Sequence, residues 1–310
     1  MTLRRLLLPV LAVLALVAPA AVAGTVLSSA AAPGGALGST SVISLESGGL
    51  TRTYRLFVPS TLPPGPRPLL LALHGHSASA ALMESATNLD KSAAKAGILV
   101  AYPEGYQASW NTGVCCYEAT AANIDDKTFL AGVIEDIAAR FPVDKLRVAM
   151  AGFSNGGIMS YSFGCARTDL VDTIVVMSGA YVDKSCTLTR PLSVLHMHGL
   201  LDTTVPYLGG TITPAKIKVR PTLGPIGAIG VQAGCTSLPT VPFPSSPLVT
   251  ETQAAGCQPG TQLMVLASST LGHLWPTGST AVPQYGFDAT TMTWGFLVTT
   301  WATRGAPVQL

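Results

Sequence analysis

The sequence predicts an α/β protein with a mostly parallel central sheet and helices on both faces. Two observations lead to this prediction. Short, continuous apolar runs recur along the 310-residue chain, and stretches with helical spacing of apolar residues separate several of them. Strands that are covered on both faces need continuous apolar character, and repeated strand–helix–strand units form parallel sheets with right-handed crossovers.

Buried strands and amphipathic helices follow from these patterns. The apolar runs place strands at residues 69–73, 98–102, 146–151, 174–177, 192–197 and 263–267. The clearest helix covers residues 126–141, because apolar side chains recur on one face and Asp125 or Asp126 suits its N-cap. Further helices are predicted at residues 155–165 and 287–302.

Residues 1–23 have the pattern of an export signal. Arg4 and Arg5 form a charged start, residues 6–17 are apolar, and residues 21–23 (Ala-Val-Ala) fit a small-residue cleavage site. An uncleaved membrane anchor is the alternative interpretation, although prolines interrupt the run and the Ala-rich end suits a peptidase. We therefore expect a secreted, extracellular protein.

The rest of the chain is predicted to form a flexible segment followed by one domain. Residues 24–40, rich in Ala, Gly and Ser, are the expected flexible segment, and residues 41–310 the single domain. Within the domain, residues 208–260 predict a loop-rich insertion over one edge of the sheet. Without its leader the chain has equal numbers of acidic and basic residues, so no charge excess attracts nucleic acid or a membrane surface.

The cysteines indicate disulfide bonds. An even count in an exported chain points to disulfides, and no CxxC or Cys/His spacing predicts a zinc site. Cys235 and Cys257 flank one loop-rich segment and are the preferred pair. The other cysteines can pair in several ways, between which the sequence does not choose: Cys115, Cys116, Cys165 and Cys186.

The most informative motif is the G-x-S-x-G stretch at residues 152–156, between a predicted strand and a predicted helix. A strand that turns at once into a helix strains its corner residue and needs small residues two positions before and after it. Such a turn pushes the Ser154 hydroxyl above the strand ends, at a helix N-terminus that favours negative charge. A Gly-rich turn with an incidental serine is the alternative interpretation.

A serine nucleophile needs a base and an orienting acid, and in this type of fold the chain order is Ser, acid, His. Three histidines follow Ser154. His196 and His198 lie in or just after a predicted strand, where a histidine is more often a packed, hydrogen-bonded core residue. His273 lies in a Gly-flanked loop after the last predicted strand. It is the candidate base, with a solvated bystander as the alternative.

Asp202 is the candidate acid between Ser154 and His273. It directly follows the strand predicted at residues 192–197, at the carboxyl end where open α/β sheets build their sites. A turn-forming aspartate is the alternative.

The segment LALHGHSAS follows the first central strand and predicts an oxyanion loop. A His-Gly pair in this position is typical of the loop that supplies an oxyanion donor. The candidate donors are the backbone N–H groups of His76 and of Asn155, the residue after the predicted nucleophile. The imidazole of His74 is expected to be structural.

Several segments together resemble a family of exported α/β-hydrolases that includes polyhydroxybutyrate depolymerases, feruloyl esterases and acetylxylan esterases. In chain order they are LALHGHSAS, AYPEGYQASWN, NIDDKTFLAGVIEDI, FPVDKLRVAMAGFSNGG, LHMHGLLDTTVPY and GHLWP. The resemblance runs from about residue 51 to residue 302. It implies the α/β-hydrolase fold, with Ser154, Asp202 and His273 as the catalytic triad.

The resemblance also implies substrate contacts. The loop with Trp110 and Asn111 is expected to help line the substrate cleft, and Trp275 in GHLWP is a further candidate. The alternative for Trp110 is a rim aromatic that packs on Cys115 or Cys116.

The expected function is that of a secreted serine carboxylesterase that works through an acyl-enzyme. No metal or organic cofactor is expected. The expected substrates are feruloyl- or acetylxylan-type esters of plant cell-wall polysaccharides, or polyesters of the polyhydroxybutyrate type. Two alternatives stay open, namely a serine peptidase on the same fold and a non-catalytic surface-binding protein.

Overall fold

The computed structural model describes residues 26–27, 37–213 and 215–304, so the leader predicted at residues 1–23 lies outside the described residues. The strands are β1 (Val26–Leu27), β2 (Gly38–Ser47), β3 (Leu50–Pro59), β4 (Arg67–Leu73), β5 (Leu99–Pro103), β6 (Val143–Phe153), β7 (Thr173–Met177), β8 (Ser193–Gly199), β9 (Gly210–Ile212), β10 (Ile217–Val219), β11 (Thr240–Pro242), β12 (Val249–Gln253) and β13 (Leu263–Ser268). The helices are α1 (Ala80–Thr87), α2 (Leu89–Ala96), α3 (Tyr117–Ala121), α4 (Asp126–Arg140), α5 (Asn155–Ala166), α6 (Leu223–Gln232), α7 (Ala281–Tyr285) and α8 (Ala289–Ala302).

Eleven of the described strands form one sheet, in the order β1-β2-β3-β5-β4-β6-β7-β8-β13-β12-β11. The central strands from β5 to β13 run parallel to one another. The flanking strands β1, β2, β3, β11 and β12 pair antiparallel. The predicted mostly parallel sheet is therefore confirmed, and antiparallel strands extend it at both edges.

Helices cover both faces of the sheet, as the α/β prediction requires. Along β4, Leu69, Leu71 and Leu73 pack on one face with the apolar side chains of α4 and α5. Leu70 and Ala72 point to the other face and pack with α1, α2 and α8. Strands β5, β7 and β8 are buried along their whole length, because a parallel strand between two helical layers has no face in water.

The antiparallel edge next to β5 was not predicted, because its strands lack a continuous apolar run. Strand β2 is mostly half-buried and pairs along its length with β3. The expectation of a flexible segment over residues 24–40 is wrong at two places, because β1 pairs with β2 and residues 38–40 belong to β2 itself. Cross-strand pairing with β2 and β3 orders these two parts of the segment.

The predicted insertion at residues 208–260 contains more regular structure than expected. The pair β9–β10 forms a separate two-stranded sheet, and α6 packs inward through Ile226 and Ile229. The prediction that the whole segment covers an edge is wrong for β11 and β12, which continue the main sheet beside β13. Pairing with β13 gives these short strands the hydrogen-bond partners that an open edge lacks.

All six cysteines are paired in disulfides, including the preferred pair Cys235–Cys257. The other bonds join Cys165 to Cys186 and the neighbours Cys115 and Cys116. Cys165 lies near the end of α5, and its bond ties that helix to the connection that leads into β8. Within the described ranges, no helix combines the length and the apolar character needed to cross a bilayer.

Candidate active site

Ser154 occupies the corner between β6 and α5. Its backbone has φ 54° and ψ −119°, a conformation that residues other than glycine rarely adopt. The Ser154 N–H donates to Met177 O at 2.9 Å, and its carbonyl accepts from Ile158 N–H at 2.9 Å. Neighbouring strand and helix bonds therefore hold the strained corner in place.

The two flanking glycines are required by close backbone contacts. A Cβ atom on Gly152 would lie 2.2 Å from Gly156 O, and a Cβ atom on Gly156 would lie 2.4 Å from Leu73 O. Real Cβ atoms essentially never approach other atoms closer than 3.0 Å. The spacing of the motif thus has the steric basis that the sequence predicts.

Three side chains from separate parts of the chain meet at this corner. His273 Nε2 lies 2.9 Å from Ser154 Oγ, and His273 Nδ1 lies 2.7 Å from Asp202 Oδ2. Because a carboxylate only accepts, Nδ1 carries the proton and Nε2 accepts from the Ser154 hydroxyl. Ser154 and His273 are both half-buried, and the Phe153 ring packs against the imidazole with 4.9 Å between ring centroids.

A tight turn after β8 holds the Asp202 carboxylate. Its Oδ1 accepts from the N–H groups of Thr204 at 2.9 Å and Val205 at 2.8 Å, so Oδ2 faces His273. Burial alone raises the pKa of Asp202, but hydrogen bonds from His198, His273 and Val205 outweigh it and hold the pKa below its usual value. The carboxylate is therefore ionised near neutral pH.

The backbone N–H groups of Asn155 and His76 lie on the two segments that flank Ser154. The loop approaches the serine closely, because a Cβ atom on Gly75 would lie 3.3 Å from Ser154 Cβ. In the described part of the chain, neither N–H group donates to another atom. An oxyanion needs such free donors, and the role of these two N–H groups in binding it stays a prediction.

The two histidines of the oxyanion loop have different surroundings. His74 is buried, and its Nε2 accepts from Gly105 N–H at 2.9 Å while Nδ1 donates to Gly75 O at 2.7 Å. Burial lowers the pKa of His74, more than the Gly75 carbonyl and Glu104 raise it. The His76 ring is partly exposed and stacks on Tyr117 with 3.5 Å between centroids.

Trp110 does not line a cleft, contrary to the expectation. Its side chain is 0% exposed, and its indole N–H donates to His74 O at 2.9 Å. The side chain of Asn155 accepts from Trp110 N–H at 2.7 Å and donates to Trp110 O at 3.2 Å. Trp110 therefore joins the oxyanion loop to the serine corner from below, a role that no sequence signal indicates.

Asn111 and Trp275 are also engaged within the protein. Asn111 is buried, and its amide donates to Ile124 O at 2.8 Å and accepts from Gly113 N–H at 2.8 Å. This bonding makes Asn111 a loop-shaping residue, and its substrate contact stays a prediction. Trp275, two positions after His273, is half-buried, and its indole N–H donates to Thr290 Oγ1 at 3.0 Å. Part of its ring is therefore exposed, and its substrate contact stays a prediction.

Two buried histidines of β8 lie behind Asp202, as the core interpretation of these residues predicts. His196 and His198 are 1% and 0% exposed, and the Nε2 atom of His198 lies 3.3 Å from Asp202 Oδ2. Despite these histidines, the described ranges contain no group of three or more His, Cys, Asp or Glu side chains arranged to hold a metal ion.

Comparisons with known proteins find related esterases. A family model described as Phospholipase/Carboxylesterase matches residues 121–219, which include Ser154 and Asp202. Feruloyl esterase B from Piromyces equi is 34% identical over 152 residues, which make up 46% of this chain and 27% of that protein. The chain thus spans about a quarter of the length of that relative.

Two further relatives cover more of the chain. NocK from Nocardia uniformis subsp. tsuyamanensis, which is assigned as an esterase, is 28% identical over 254 residues, 74% of this chain and 72% of that protein. The structure of an acetyl xylan esterase from Aspergillus awamori covers 72% of this chain and 89% of its own, with a TM-score of 0.54 and 13% identity, a likeness of fold. The parallel sheet with its serine corner has an α/β-hydrolase-type fold, and the chain is similar over part of its length to feruloyl and other esterases.

Proposed function

We propose that the protein is a serine carboxylesterase in which Ser154, His273 and Asp202 form the catalytic triad. One observation carries the proposal, namely the continuous hydrogen-bonded path of 2.9 Å and 2.7 Å through the three side chains. These distances suit a nucleophile, its base and the group that orients the base. The related esterases support an ester as the bond that is cleaved.

The first half of the reaction acylates Ser154. Its Oγ attacks the ester carbonyl carbon while its proton passes to His273 Nε2, and Asp202 stabilises the imidazolium that forms. The carbonyl oxygen becomes an oxyanion and accepts from the N–H groups of His76 and Asn155. The tetrahedral intermediate then collapses, the ester C–O bond breaks, and Nε2 returns the proton to the leaving alcohol.

The second half releases the acid by the same groups. Water replaces the alcohol and gives a proton to His273 Nε2 as it attacks the acyl carbon. The second intermediate collapses, the bond to Ser154 Oγ breaks, and the proton returns to the serine. The protein ends in its starting state.

Esters of plant cell-wall polysaccharides are the substrates that we assign to this site, with polyesters as the second class. The name of the related feruloyl esterase B supports the first class. We also assign the protein to the extracellular space. The leader pattern at residues 1–23 and the paired cysteines support this location.

Replacement of the nucleophile tests the proposal. We expect Ser154→Ala to lower kcat/KM for p-nitrophenyl acetate by about 10⁴-fold or more. Ser60→Ala is the matched control, because Ser60 is exposed and follows β3, which ends at the amino ends of the parallel strands, away from Ser154. Turnover of the Ser154→Ala protein at the parent rate would refute the triad.

A substrate panel separates the remaining alternatives. Feruloyl esters, acetylated xylan and hydroxybutyrate oligomers distinguish the ester classes, and matched ester and amide substrates distinguish an esterase from a peptidase. Faster amide than ester turnover would assign the site to a peptidase. If the parent protein does not react with a fluorophosphonate probe, the site is not catalytic.

A further inference from the structure

A chain of buried polar side chains leads away from Asp202 on the side opposite His273. Tyr161 Oη lies 2.8 Å from His196 Nδ1, and His196 Nε2 lies 2.8 Å from His198 Nδ1. His198 Nε2 lies 2.8 Å from Val205 O and 3.3 Å from Asp202 Oδ2. All four ring nitrogens of the two histidines therefore have partners.

The acceptors at one end fix the direction of donation along the chain. The Val205 carbonyl and the Asp202 carboxylate only accept, so His198 Nε2 carries a proton in either protonation state of the ring. With both rings neutral, His198 Nδ1 accepts from His196 Nε2–H, and His196 Nδ1 accepts from the Tyr161 hydroxyl. Every donor thus points towards Asp202, an alignment in which hydrogen bonds reinforce one another.

The surroundings support a neutral His196 ring and a protonated Tyr161 phenol. Burial, followed by the neighbouring His198, lowers the pKa of His196, and burial raises the pKa of Tyr161. Two further tyrosines pack against these side chains, namely Tyr207, edge-on to His198, and Tyr181, edge-on to Tyr161. Within the described residues, neither tyrosine makes a hydrogen bond to the two imidazoles.

These side chains occupy positions where the core otherwise holds aliphatic residues. Val194 precedes His196 on the same face of β8, and that face packs against α5 with apolar side chains. Burying polar groups costs free energy unless each group is hydrogen-bonded. If packing were the only requirement, two aliphatic side chains would therefore be sufficient at these positions. The two histidines instead end at the turn that holds the Asp202 carboxylate.

We propose that His198, supported by His196 and Tyr161, is a positioning residue for the Asp202 carboxylate. It acts twice, because it holds the Val205 carbonyl of the turn and shares Oδ2 of Asp202 with His273. The Val205 N–H in turn donates to Oδ1 at 2.8 Å. This inference rests on the proposed function, because His198 acts through Asp202, which orients His273 and stabilises its imidazolium.

Two variants of His198 test the inference. His198→Phe keeps a buried ring and removes the donor, and we expect kcat to fall about tenfold with KM within about twofold of the parent. His198→Gln can place an amide N–H near the position of Nε2, and we expect it to recover most of the loss. Unchanged kcat in His198→Phe would overturn the proposal.

The pH profile separates positioning from loose packing. Without the His198 donor, more of the carboxylate charge acts on His273, so its imidazolium is held more tightly. Because the base must be neutral, we expect the acid limb of kcat/KM to move to higher pH in His198→Phe and to return in His198→Gln. A lowered rate with an unmoved acid limb would contradict the proposal.

A matched pair of single-hydroxyl variants covers the case in which His198→Phe does not fold. Tyr161→Phe removes the first donor of the chain, and we expect kcat to fall about two- to threefold. Tyr181→Phe removes an adjacent buried hydroxyl with no hydrogen-bond partner among the described residues, and we expect unchanged kcat. Equal effects of the two variants would overturn the proposal, whereas activity of Ser154→Ala would overturn the proposed function instead.

Discussion

Gly156→Ala gives a test of the serine corner whose size follows from the coordinates. The added Cβ would lie 2.4 Å from Leu73 O and 2.5 Å from His74 O, and both atoms are backbone. Reaching the 3.0 Å limit for Cβ atoms requires a movement of about 0.6 Å between α5 and the end of β4. We expect the free energy of unfolding to fall by about 1–3 kcal/mol.

The same movement displaces the oxyanion loop that begins at His74. Because this loop carries the His76 N–H group, we expect kcat/KM to fall by about 10²-fold. The assays are denaturant unfolding and hydrolysis of p-nitrophenyl acetate by the purified variant. Parent-like stability together with parent-like activity would refute the steric reasoning.

Gly295→Ala is the matched control for this substitution. Gly295 lies in α8, is exposed, and a Cβ atom there would meet no atom within 4 Å. Alanine favours a helix over glycine by about 0.8–1 kcal/mol, so we expect a small gain in stability and unchanged activity.

Two further predictions concern stability. The folded protein holds the pKa of Asp202 below its usual value, so its contribution to stability is present above about pH 4 and is lost as the pH falls below it. Urea unfolding measured at pH values from about 4 downwards should show a smaller loss of unfolding free energy in Asp202→Asn than in the parent. The Cys165→Ser, Cys186→Ser double variant opens a bond that spans 21 residues, and we expect it to lower the free energy of unfolding by about 3 kcal/mol. An unchanged unfolding midpoint would contradict this value.

The parallel centre of the sheet was predictable because its strands are buried on both faces. Continuous apolar runs identified β4 to β8 and β13 to within a few residues of their ends. The strand pair β2–β3 was missed, because half-buried edge strands carry polar residues and leave no such run. For the same reason β11, whose three residues are all exposed, could not be distinguished from a loop.

The prediction that Trp110 lines a cleft failed because a resemblance in sequence does not reveal which side of a loop faces the core. Trp110 was expected at a cleft because its segment resembles a segment of the esterase family. The structure buries it beneath the serine corner, where Asn155 bonds its backbone. His198 is the reverse case, because its place in an apolar run predicts burial but not the 3.3 Å approach to Asp202.

Local features of this protein follow from its sequence alone. Continuous apolar runs predicted the central strands, and helical spacing of apolar residues predicted the longest helices. The spacing of Gly152 and Gly156 predicted the corner at Ser154, and chain order selected Asp202 and His273. The distances between these groups, in contrast, depend on the tertiary structure. Ser154 and His273 are 119 positions apart in the sequence. Strand order, register and loop packing bring them within hydrogen-bonding distance. Their approach therefore depends on contacts throughout the fold and not on any local pattern.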